Sequence, residues 1–203
     1  MGLLNPYLEF YCAMPPAFRR DPSLPITGAE LLSPEWLMLK AAIARHFAWA
    51  VPTEDAISAI RDYTTDIVEI GAGSGYWAWM MRQAGLTVAA YDTTSPSITW
   101  DKVEHGDERA VQSHPNHALF LCWPPWASDM ACNALTYHRG DYLIYVGEWM
   151  GGSANPNFFM LLASLFEPVR AVDIPQWYDR NDRLMIFRRR RQYSDGVKPQ
   201  RSS

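Results

Sequence analysis

The chain has 203 residues, of which 48% are hydrophobic and 20% are charged, and its formal net charge is −4. This length and composition indicate one globular domain and exclude disordered, collagen-like and disulfide-scaffold proteins. The cysteines Cys12, Cys122 and Cys132 are an odd set without CxxC spacing, which favours a reducing compartment. No secretory signal and no apolar stretch of about 18 residues is visible, so we expect a soluble, cytoplasmic protein outside membranes.

The amino-terminal part is interrupted by prolines and predicts helices joined by extended chain. Ser33 followed by Pro34 is typical of an N-cap and a first helical turn, and Thr53 is a second candidate cap. The predicted helices span residues 7–13, 34–50 and 54–63. The expected apolar face of the middle helix consists of Leu37, Ala41, Ala44 and Ala48. We therefore expect residues 1–65 to form a helical amino-terminal extension or lid.

From Asp66 onward, short apolar runs alternate with helical stretches. This alternation is typical of an α/β fold in which helical crossovers join parallel strands. The predicted strands span residues 67–70, 87–91, 118–122, 142–146, 169–174 and 184–188, and the predicted helices span residues 76–84, 129–138 and 157–166. A short strand at 102–105 and a short helix at 108–113 are weaker predictions. No helix separates the last two strands, so we expect a mixed sheet with a reversed final strand.

The clearest local pattern is the run from Asp66 to Gly75, in which an apolar strand leads into three alternate glycines and a helix. Glycine permits positive φ and lets a ligand approach the backbone without meeting a Cβ atom. An acid, Asp92, ends the next predicted strand, where it is suited to bind the two hydroxyls of a ribose. A dinucleotide fingerprint is disfavoured, because its last glycine position is occupied here by Tyr76.

The acid-x-Gly-x-Gly-x-Gly pattern of Glu69, Gly71, Gly73 and Gly75 resembles the first motif of class I S-adenosylmethionine-dependent methyltransferases. The resemblance covers about residues 66–190. It implies a Rossmann-like, mostly parallel sheet that binds S-adenosylmethionine as cofactor. The implied cofactor-binding residues are Glu69, Gly71, Ala72, Gly73, Gly75, Asp92, Asp107 and Cys122. A tight turn in an unrelated α/β protein is the alternative interpretation.

The resemblance also gives two acids separate roles. In such enzymes an acid after the second strand binds the ribose, and an acid after the third strand often contacts the adenine amine. Asp92 takes the first role here, and Asp107 takes the second unless it belongs to a solvated turn.

The strand at residues 118–122 leads into Trp123-Pro124-Pro125-Trp126, at the sheet edge where open α/β proteins bind ligands. This tetrapeptide resembles the (Asn, Asp or Ser)-Pro-Pro-aromatic motif of amino methyltransferases. The rigid proline segment is expected to leave carbonyls free to accept an incoming N–H, and Trp126 to offer a stacking face. Trp123 departs from the motif because an indole donates a hydrogen bond but accepts none. The acceptor atom is therefore open, and simple packing of both tryptophans is the alternative.

Glu148 ends the next predicted strand at the same edge, where a carboxylate suits orientation or deprotonation of the acceptor. An exposed loop acid without a catalytic part is the equal alternative. The expected catalytic residues are Trp123, Pro124, Pro125, Trp126 and Glu148. The tryptophans of this edge, including Trp149, and the proline-broken amino-terminal segment are expected to enclose the acceptor. His114 and His117 lack a second ligand pair with zinc spacing, so no metal site is predicted.

Residues 191–203 are expected to be a basic, disordered tail, preceded by a run of arginines that begins at Arg188. The preferred function is methyl transfer from S-adenosylmethionine to a nitrogen or oxygen of a small molecule. A nucleic-acid or protein acceptor is the second possibility, because the arginines suit phosphate binding. A non-catalytic binding protein with a methyltransferase-like fold is the third. The sequence does not specify the oligomeric state.

Overall fold

The structure is a computed structural model that describes residues 2–20, 33–94 and 96–191. Part of the expected extended segment near the amino terminus and most of the basic tail lie outside these described residues. The helices are α1 (Pro6–Ala13), α2 (Pro34–His46), α3 (Glu54–Arg61), α4 (Tyr76–Gln83), α5 (Met130–Tyr137) and α6 (Pro156–Leu165). The strands are β1 (Asp66–Ile70), β2 (Thr87–Asp92), β3 (Glu104–His105), β4 (Ala118–Cys122), β5 (Tyr142–Glu148), β6 (Phe166–Asp173) and β7 (Asp182–Arg189). Two 3₁₀ helices span Pro16–Phe18 and Glu108–Ser113.

The strands form one mixed sheet in the order β3-β2-β1-β4-β5-β7-β6. Neighbours from β3 to β5 pair in parallel, whereas β7 pairs antiparallel with both β5 and β6. The strand order reverses beside β1, so a crevice opens beyond the carboxyl ends of β1 and β4. The predicted mixed sheet with a reversed final strand is confirmed.

Each face of the sheet buries its own apolar cluster. One cluster joins α4 and the amino-terminal helices to the sheet, and it includes Tyr76, Trp77 and Ile67. The other joins α5 and α6 to the opposite face, through residues such as Leu135 and Phe158. Alternate residues along β1 point to opposite faces, so Glu69 lies on the α4 side with Ile67.

The amino-terminal helices belong to the same buried cluster as the sheet. Tyr7 of α1 stacks on Phe47 with ring centroids 4.6 Å apart, and its backbone N–H donates to the Tyr76 hydroxyl at 2.9 Å. Trp36 of α2 packs on Trp177, which precedes β7, at 5.7 Å. The helical character expected for this part is present, while its separation as an extension or lid stays a prediction.

The structure departs from the predicted elements in two places. Helix α2 stops at His46 rather than near residue 50, and Trp36, Lys40 and Ile43 are its buried residues instead of the predicted face that begins at Leu37. The apolar spacing predicts the wrong face because Lys40, a charged residue, occupies a position that faces the core. Helix α6 passes directly into β6 at Phe166, so that strand begins earlier than predicted.

Candidate active site at the carboxyl edge of the sheet

A cavity of about 690 Å³ lies beyond the carboxyl ends of β1, β2 and β4. Its volume is within the range of small-molecule sites, which is about 300–1,000 Å³. One side of this cavity is formed by the glycine loop after β1 (residues 71–75) and by the end of β2. Another side is formed by the Trp-Pro-Pro loop after β4 (residues 123–126). The segment Phe47–Trp49 after α2 also borders it. The cavity therefore lies where the strand order predicts a ligand.

The glycine loop exposes bare backbone to this cavity. Gly73 has φ of +54°, and no atom lies within 4 Å of the position that a Cβ atom would occupy. Gly75 has φ of +75° and starts α4, where a Cβ atom would meet Val103 at 2.8 Å. Both positions require glycine because of their positive φ. At Gly73 the missing side chain also leaves open space in the cavity, and at Gly75 it allows Val103 to pack against the backbone.

Asp92 holds the glycine loop and the chain after β2 together. Its Oδ2 accepts the backbone N–H of Gly73 at 2.8 Å, and its Oδ1 accepts both the N–H and the hydroxyl of Thr94 at 2.7 Å. An ionised carboxylate offers about four acceptor positions, so one stays free for a ligand hydroxyl. Asp92 thus combines a structural task with a position at the cavity wall.

Glu69 lies under the glycine loop and lines the cavity at 1% exposure. Its Oε2 is buried without a hydrogen-bond partner among the described residues. Burial raises the pKa of Glu69 to about 8, with a smaller raising effect from Asp92 and a lowering effect from Arg82. The carboxyl is therefore protonated at neutral pH, and a cation placed beside it would favour its ionised form.

Both proline carbonyls of the Trp-Pro-Pro-Trp loop already accept hydrogen bonds. The Pro124 carbonyl accepts from the N–H of Ala154 at 2.7 Å, and the Pro125 carbonyl accepts from the N–H of Ser128 at 3.3 Å. Each carbonyl keeps a second lone pair, so the expectation that these carbonyls can accept an incoming N–H stays a prediction. The Pro124 bond holds the loop against the chain that follows β5.

Trp123 adopts φ of +51°, a conformation that a non-glycine residue rarely takes. Its backbone N–H donates to Val146 at 2.8 Å and its indole N–H donates to Asp182 Oδ1 at 2.8 Å. Its ring contacts that of Trp49, with centroids 5.8 Å apart. Besides Trp123, positive φ at non-glycine residues of the described chain occurs at Met150 and Ala154, both after β5. Such strain concentrated in two adjoining loops is typical of functional sites.

Behind Trp123 lies a group of four charged residues, of which Lys40 and Asp182 are buried and Asp179 and Arg180 are half-buried. Asp179 forms ion pairs of 3.2 Å with Lys40 and with Arg180. The Lys40 amine lies 5.8 Å from the Trp123 ring centre, and the Arg180 guanidinium lies 5.2 Å from it. Burial raises the pKa of Asp182 and lowers the pKa of Lys40, since both charges are removed from water. Trp123 is thus fixed from α2 and from the chain that enters β7.

Glu148 does not line the cavity. Its Oε1 accepts the N–H of Asn181 at 3.0 Å and its Oε2 accepts the N–H of Gly152 at 3.0 Å. These bonds connect the end of β5 with the segment before β7. A catalytic role for Glu148 stays a prediction, whereas its contacts are those of a residue that orders two loops.

The cavity brings together most of the residues predicted for the site. Those that line it are Glu69, Gly71, Ala72, Gly73, Asp92, Asp107, Cys122, Trp123 and Pro125. Gly75, Pro124, Trp126 and Glu148 do not appear on its wall. Asp107 caps the 3₁₀ helix that begins at Glu108, and its carboxylate pairs with Arg109 at 3.1 Å.

The sequence predicts that the amino-terminal segment helps to enclose the acceptor, but it identifies none of the individual residues that complete the cavity wall. Phe47 and Trp49 of the amino-terminal part line the cavity, as does Met130 of α5, and Lys40 and Asp182 contact Trp123 from behind. The sequence does indicate that Lys40 is unusual, because this charged residue lies on the same helix face as the apolar residues Trp36 and Ile43 of α2. No local pattern marks Trp49 or Asp182, because their partners are distant in sequence.

The remaining predictions concern residues outside the cavity. Trp149, expected in the enclosure, stacks on Phe187 at 5.5 Å. His114 binds the hydroxyl of Tyr91 through Nε2 at 2.9 Å. Among the arginines near the end of β7, Arg188 pairs with Glu167 at 2.6 Å. Within the described ranges, no helix is long and apolar enough to span a membrane.

Comparisons with solved structures identify the fold. The magnesium protoporphyrin IX methyltransferase of Synechocystis PCC 6803, solved with bound S-adenosylmethionine, matches with a TM-score of 0.52 at 12% identity, over 81% of this chain and 88% of that chain. An N-methyltransferase of Bradyrhizobium japonicum WM9, solved with S-adenosylhomocysteine, has a TM-score of 0.49 at 12% identity, over 78% and 89% of the two chains. A scan of protein-family models and a search of curated proteins found no match.

The sheet order, the reversed β7 and the glycine loop at the end of β1 agree with the match to the protoporphyrin methyltransferase. The predicted Rossmann-like resemblance is therefore confirmed at the level of the fold. The chain has the fold of the class I S-adenosylmethionine-dependent methyltransferases.

Proposed function

We propose that this protein is an S-adenosylmethionine-dependent methyltransferase that acts on a nitrogen or oxygen of a small molecule. The observation that carries the proposal is the open space above Gly73, beside a carboxylate that already binds the same loop. A cavity of about 690 Å³ continues from this space toward the Trp-Pro-Pro loop. This arrangement suits a nucleoside ligand on one side and a small second ligand on the other.

The residues present fit the proposed cofactor. A ligand can lie across Gly73 because no side chain occupies the space over its backbone. Asp92 has one acceptor position left for a sugar hydroxyl, and Asp107 lines the same end of the cavity. The unpartnered Oε2 of Glu69 offers an acceptor for a positively charged group. The group of acids also favours a cation over a phosphate-bearing ligand.

When bound, the cofactor would supply an electrophilic methyl group. The protein's own part is to hold the two ligands in line and to exclude water, and such positioning contributes roughly 7–11 kcal/mol in favourable cases. Phe47, Trp49 and Trp123 provide apolar walls for this purpose. Asp92 and the glycine loop would fix the nucleoside end.

A matched pair of glycine substitutions tests the cofactor site. Gly73 and Gly85 both have positive φ, and neither has an atom within 4 Å of an added Cβ atom. Alanine at either position therefore costs a similar folding free energy, about 1–2 kcal/mol. The Gly73→Ala variant should in addition lose at least about tenfold in affinity for S-adenosylhomocysteine by calorimetry, because the new methyl group lies on the cavity wall.

Gly85→Ala serves as the control and should bind S-adenosylhomocysteine like the wild type. Equal affinities in both variants, or no binding by the wild type, would refute the proposed cofactor site. Binding without methyl transfer to any metabolite, nucleic acid or protein pool would instead favour a non-catalytic binding protein.

A further inference from the structure

The cavity has two chemically different sides. The acids on its wall, Asp92 and Asp107 among them, lie on the glycine-loop side or follow β2 and β3. The opposite side, toward the Trp-Pro-Pro loop, is apolar. It includes Trp49, Trp123 and Pro125. Phe47 and Met130 connect this side to the glycine loop, because the Phe47 carbonyl accepts from the Ser74 hydroxyl and the Met130 side chain lies beside Gly71. A molecule bound there meets aromatic rings and aliphatic groups rather than charges.

Two tryptophans give this apolar side a rigid aromatic surface. Trp49 and Trp123 are in contact, with their ring planes inclined by 31°. The Trp123 N–H donates to Asp182, which is fully buried, so it is not available to a ligand. Trp49 is 39% exposed and lines the cavity. Such a wall favours a flat ring as the bound group, through stacking.

Among the described residues, those that line this side offer no group suited to take a proton. Burial raises the pKa of the Cys122 thiol well above its usual range, and the Ser128 hydroxyl is a neutral group that caps the N–H of Met130. Glu69 is 1% exposed under the glycine loop, on the side where the positive group of the cofactor is proposed to lie. Arg45, also on the cavity wall, cannot act as a base.

Carbonyls and carboxylates near this side do not supply a base. The Pro124 and Pro125 carbonyls accept the N–H groups of Ala154 and Ser128, and each keeps a second lone pair, but a carbonyl does not take a proton. Both oxygens of Glu148 accept backbone N–H groups, and Glu148 is not on the wall. An acceptor whose N–H or O–H must be deprotonated therefore finds little help on this side.

We propose that the acceptor is a flat, uncharged heteroaromatic ring whose own ring nitrogen, with its lone pair free at neutral pH, receives the methyl group. This inference rests on the proposed methyltransferase function. Transfer to such a nitrogen forms one N–C bond from the ring's lone pair and breaks one S–C bond, whose electron pair stays on sulfur. The positive charge passes from sulfur to the ring, and no proton moves. The face of Trp49 stabilises the resulting cation.

Quinoline and 1-naphthol test this proposal, because they share a bicyclic shape and differ in the acceptor atom. Quinoline carries a free ring-nitrogen lone pair, whereas the hydroxyl of 1-naphthol must lose a proton. We expect the wild-type protein with S-adenosylmethionine to form N-methylquinolinium, detected by mass spectrometry, and no methyl ether of 1-naphthol. We also expect quinoline to bind the protein saturated with S-adenosylhomocysteine, measured by calorimetry.

Trp49 and Trp149 supply the matched variants, since each is 39% exposed and only Trp49 is on the cavity wall. Trp49→Ala should reduce both quinoline affinity and kcat/KM by about tenfold, which is the loss expected for one aromatic stacking contact. Trp149→Ala should leave both unchanged. Trp49→Phe keeps a stacking face and should recover most of the loss.

Each outcome decides the proposal. Methylation of 1-naphthol at a rate comparable to that of quinoline would overturn it, as would equal effects of the two tryptophan variants. S-adenosylhomocysteine binding with neither binding nor methylation of quinoline at millimolar concentration would overturn the acceptor class alone. Absence of S-adenosylhomocysteine binding would remove the proposed function itself, so the two failures are distinguishable.

Discussion

The two sides of the cavity are built in different ways. On the glycine-loop side, the Asp92 carboxylate binds Gly73, which is 19 residues away in sequence, and the contacts lie within one strand-helix-strand unit. On the Trp-Pro-Pro side, Trp123 binds Asp182, which is 59 residues away, and packs on Trp49 of the amino-terminal part. The first side is a local motif, whereas the second depends on three distant segments. A short sequence pattern therefore predicts the glycine-loop side, whereas no short pattern predicts the Trp-Pro-Pro side.

The largest expected effect concerns the distant contacts that hold Trp123. Asp182→Leu leaves the Trp123 indole N–H without its acceptor and removes a nearby carboxylate from the buried Lys40 amine, and we expect a loss of about 3–5 kcal/mol in the free energy of unfolding. Urea denaturation measures it. Asp173→Leu is the control, because Asp173 is 83% exposed and pairs with Arg183 at the surface. It should cost less than about 1 kcal/mol. Similar losses in the two variants would contradict a special role for the buried group.

The buried carboxyl of Glu69, on the glycine-loop side, is expected to make the free energy of unfolding depend on pH. Its folded-state pKa is raised to about 8, so the folded protein keeps a proton that the unfolded chain releases near pH 4.5. Stability should therefore fall as the pH rises from about 4.5 to about 8. Relative to Glu69→Gln, the wild type should lose on the order of 3 kcal/mol across this window.

Urea unfolding at several pH values measures this difference. Asp66→Asn, on the exposed end of the same strand, should leave the pH dependence of the wild type intact. A pH profile of Glu69→Gln identical to that of the wild type would show that Glu69 is ionised in the folded protein. Saturation with S-adenosylmethionine should flatten the wild-type profile if its positive charge lies near this carboxyl.

Asp92 and Asp107, both on the glycine-loop side, are expected to contribute unequally to S-adenosylhomocysteine binding. Asp92→Ala removes an ionised hydrogen-bond acceptor and releases Gly73 and Thr94, so S-adenosylhomocysteine affinity should fall roughly 10- to 150-fold. Asp107→Ala should weaken it less than about fivefold, because Asp107 is engaged with Arg109 at a more exposed position. Calorimetric titration compares them. Equal losses of affinity in the two variants would contradict this difference, since both acids would then contribute equally to binding.

The smallest expected effect tests how the Trp-Pro-Pro loop is joined to α6. The Asn155 side chain caps Phe158 and also donates to the Ser128 carbonyl at 3.0 Å. Thr53 caps Ala56 of α3, and its side chain forms no second hydrogen bond within the described residues. Asn155→Ala should cost about 1–2 kcal/mol and Thr53→Ala about 1 kcal/mol by urea denaturation. A larger loss for Thr53→Ala would contradict the added contribution of the loop contact.

The sequence was sufficient for the strands and the glycine loop because both depend on short-range patterns. The apolar runs that predict β1, β2, β4 and β5 end within about two residues of the strands observed. The end of α2 and the start of β6 were missed, since tertiary contacts decide them. The role of Trp123 was equally hidden, because Asp182 gives its indole N–H a partner that no local spacing reveals.

The end of α2 is attached to the sheet unit at three successive points. Trp100 donates to the His46 carbonyl at 2.6 Å, Ser74 donates to the Phe47 carbonyl, and Trp77 donates to the Ala50 carbonyl at 3.2 Å. A shortened protein that begins at Asp66 would lose these partners and would expose Trp77 to water. Attempts to trim the chain to the strands and helices that follow Asp66, for crystallisation or for fusion to another protein, should therefore yield an aggregating fragment that lacks part of the cavity wall.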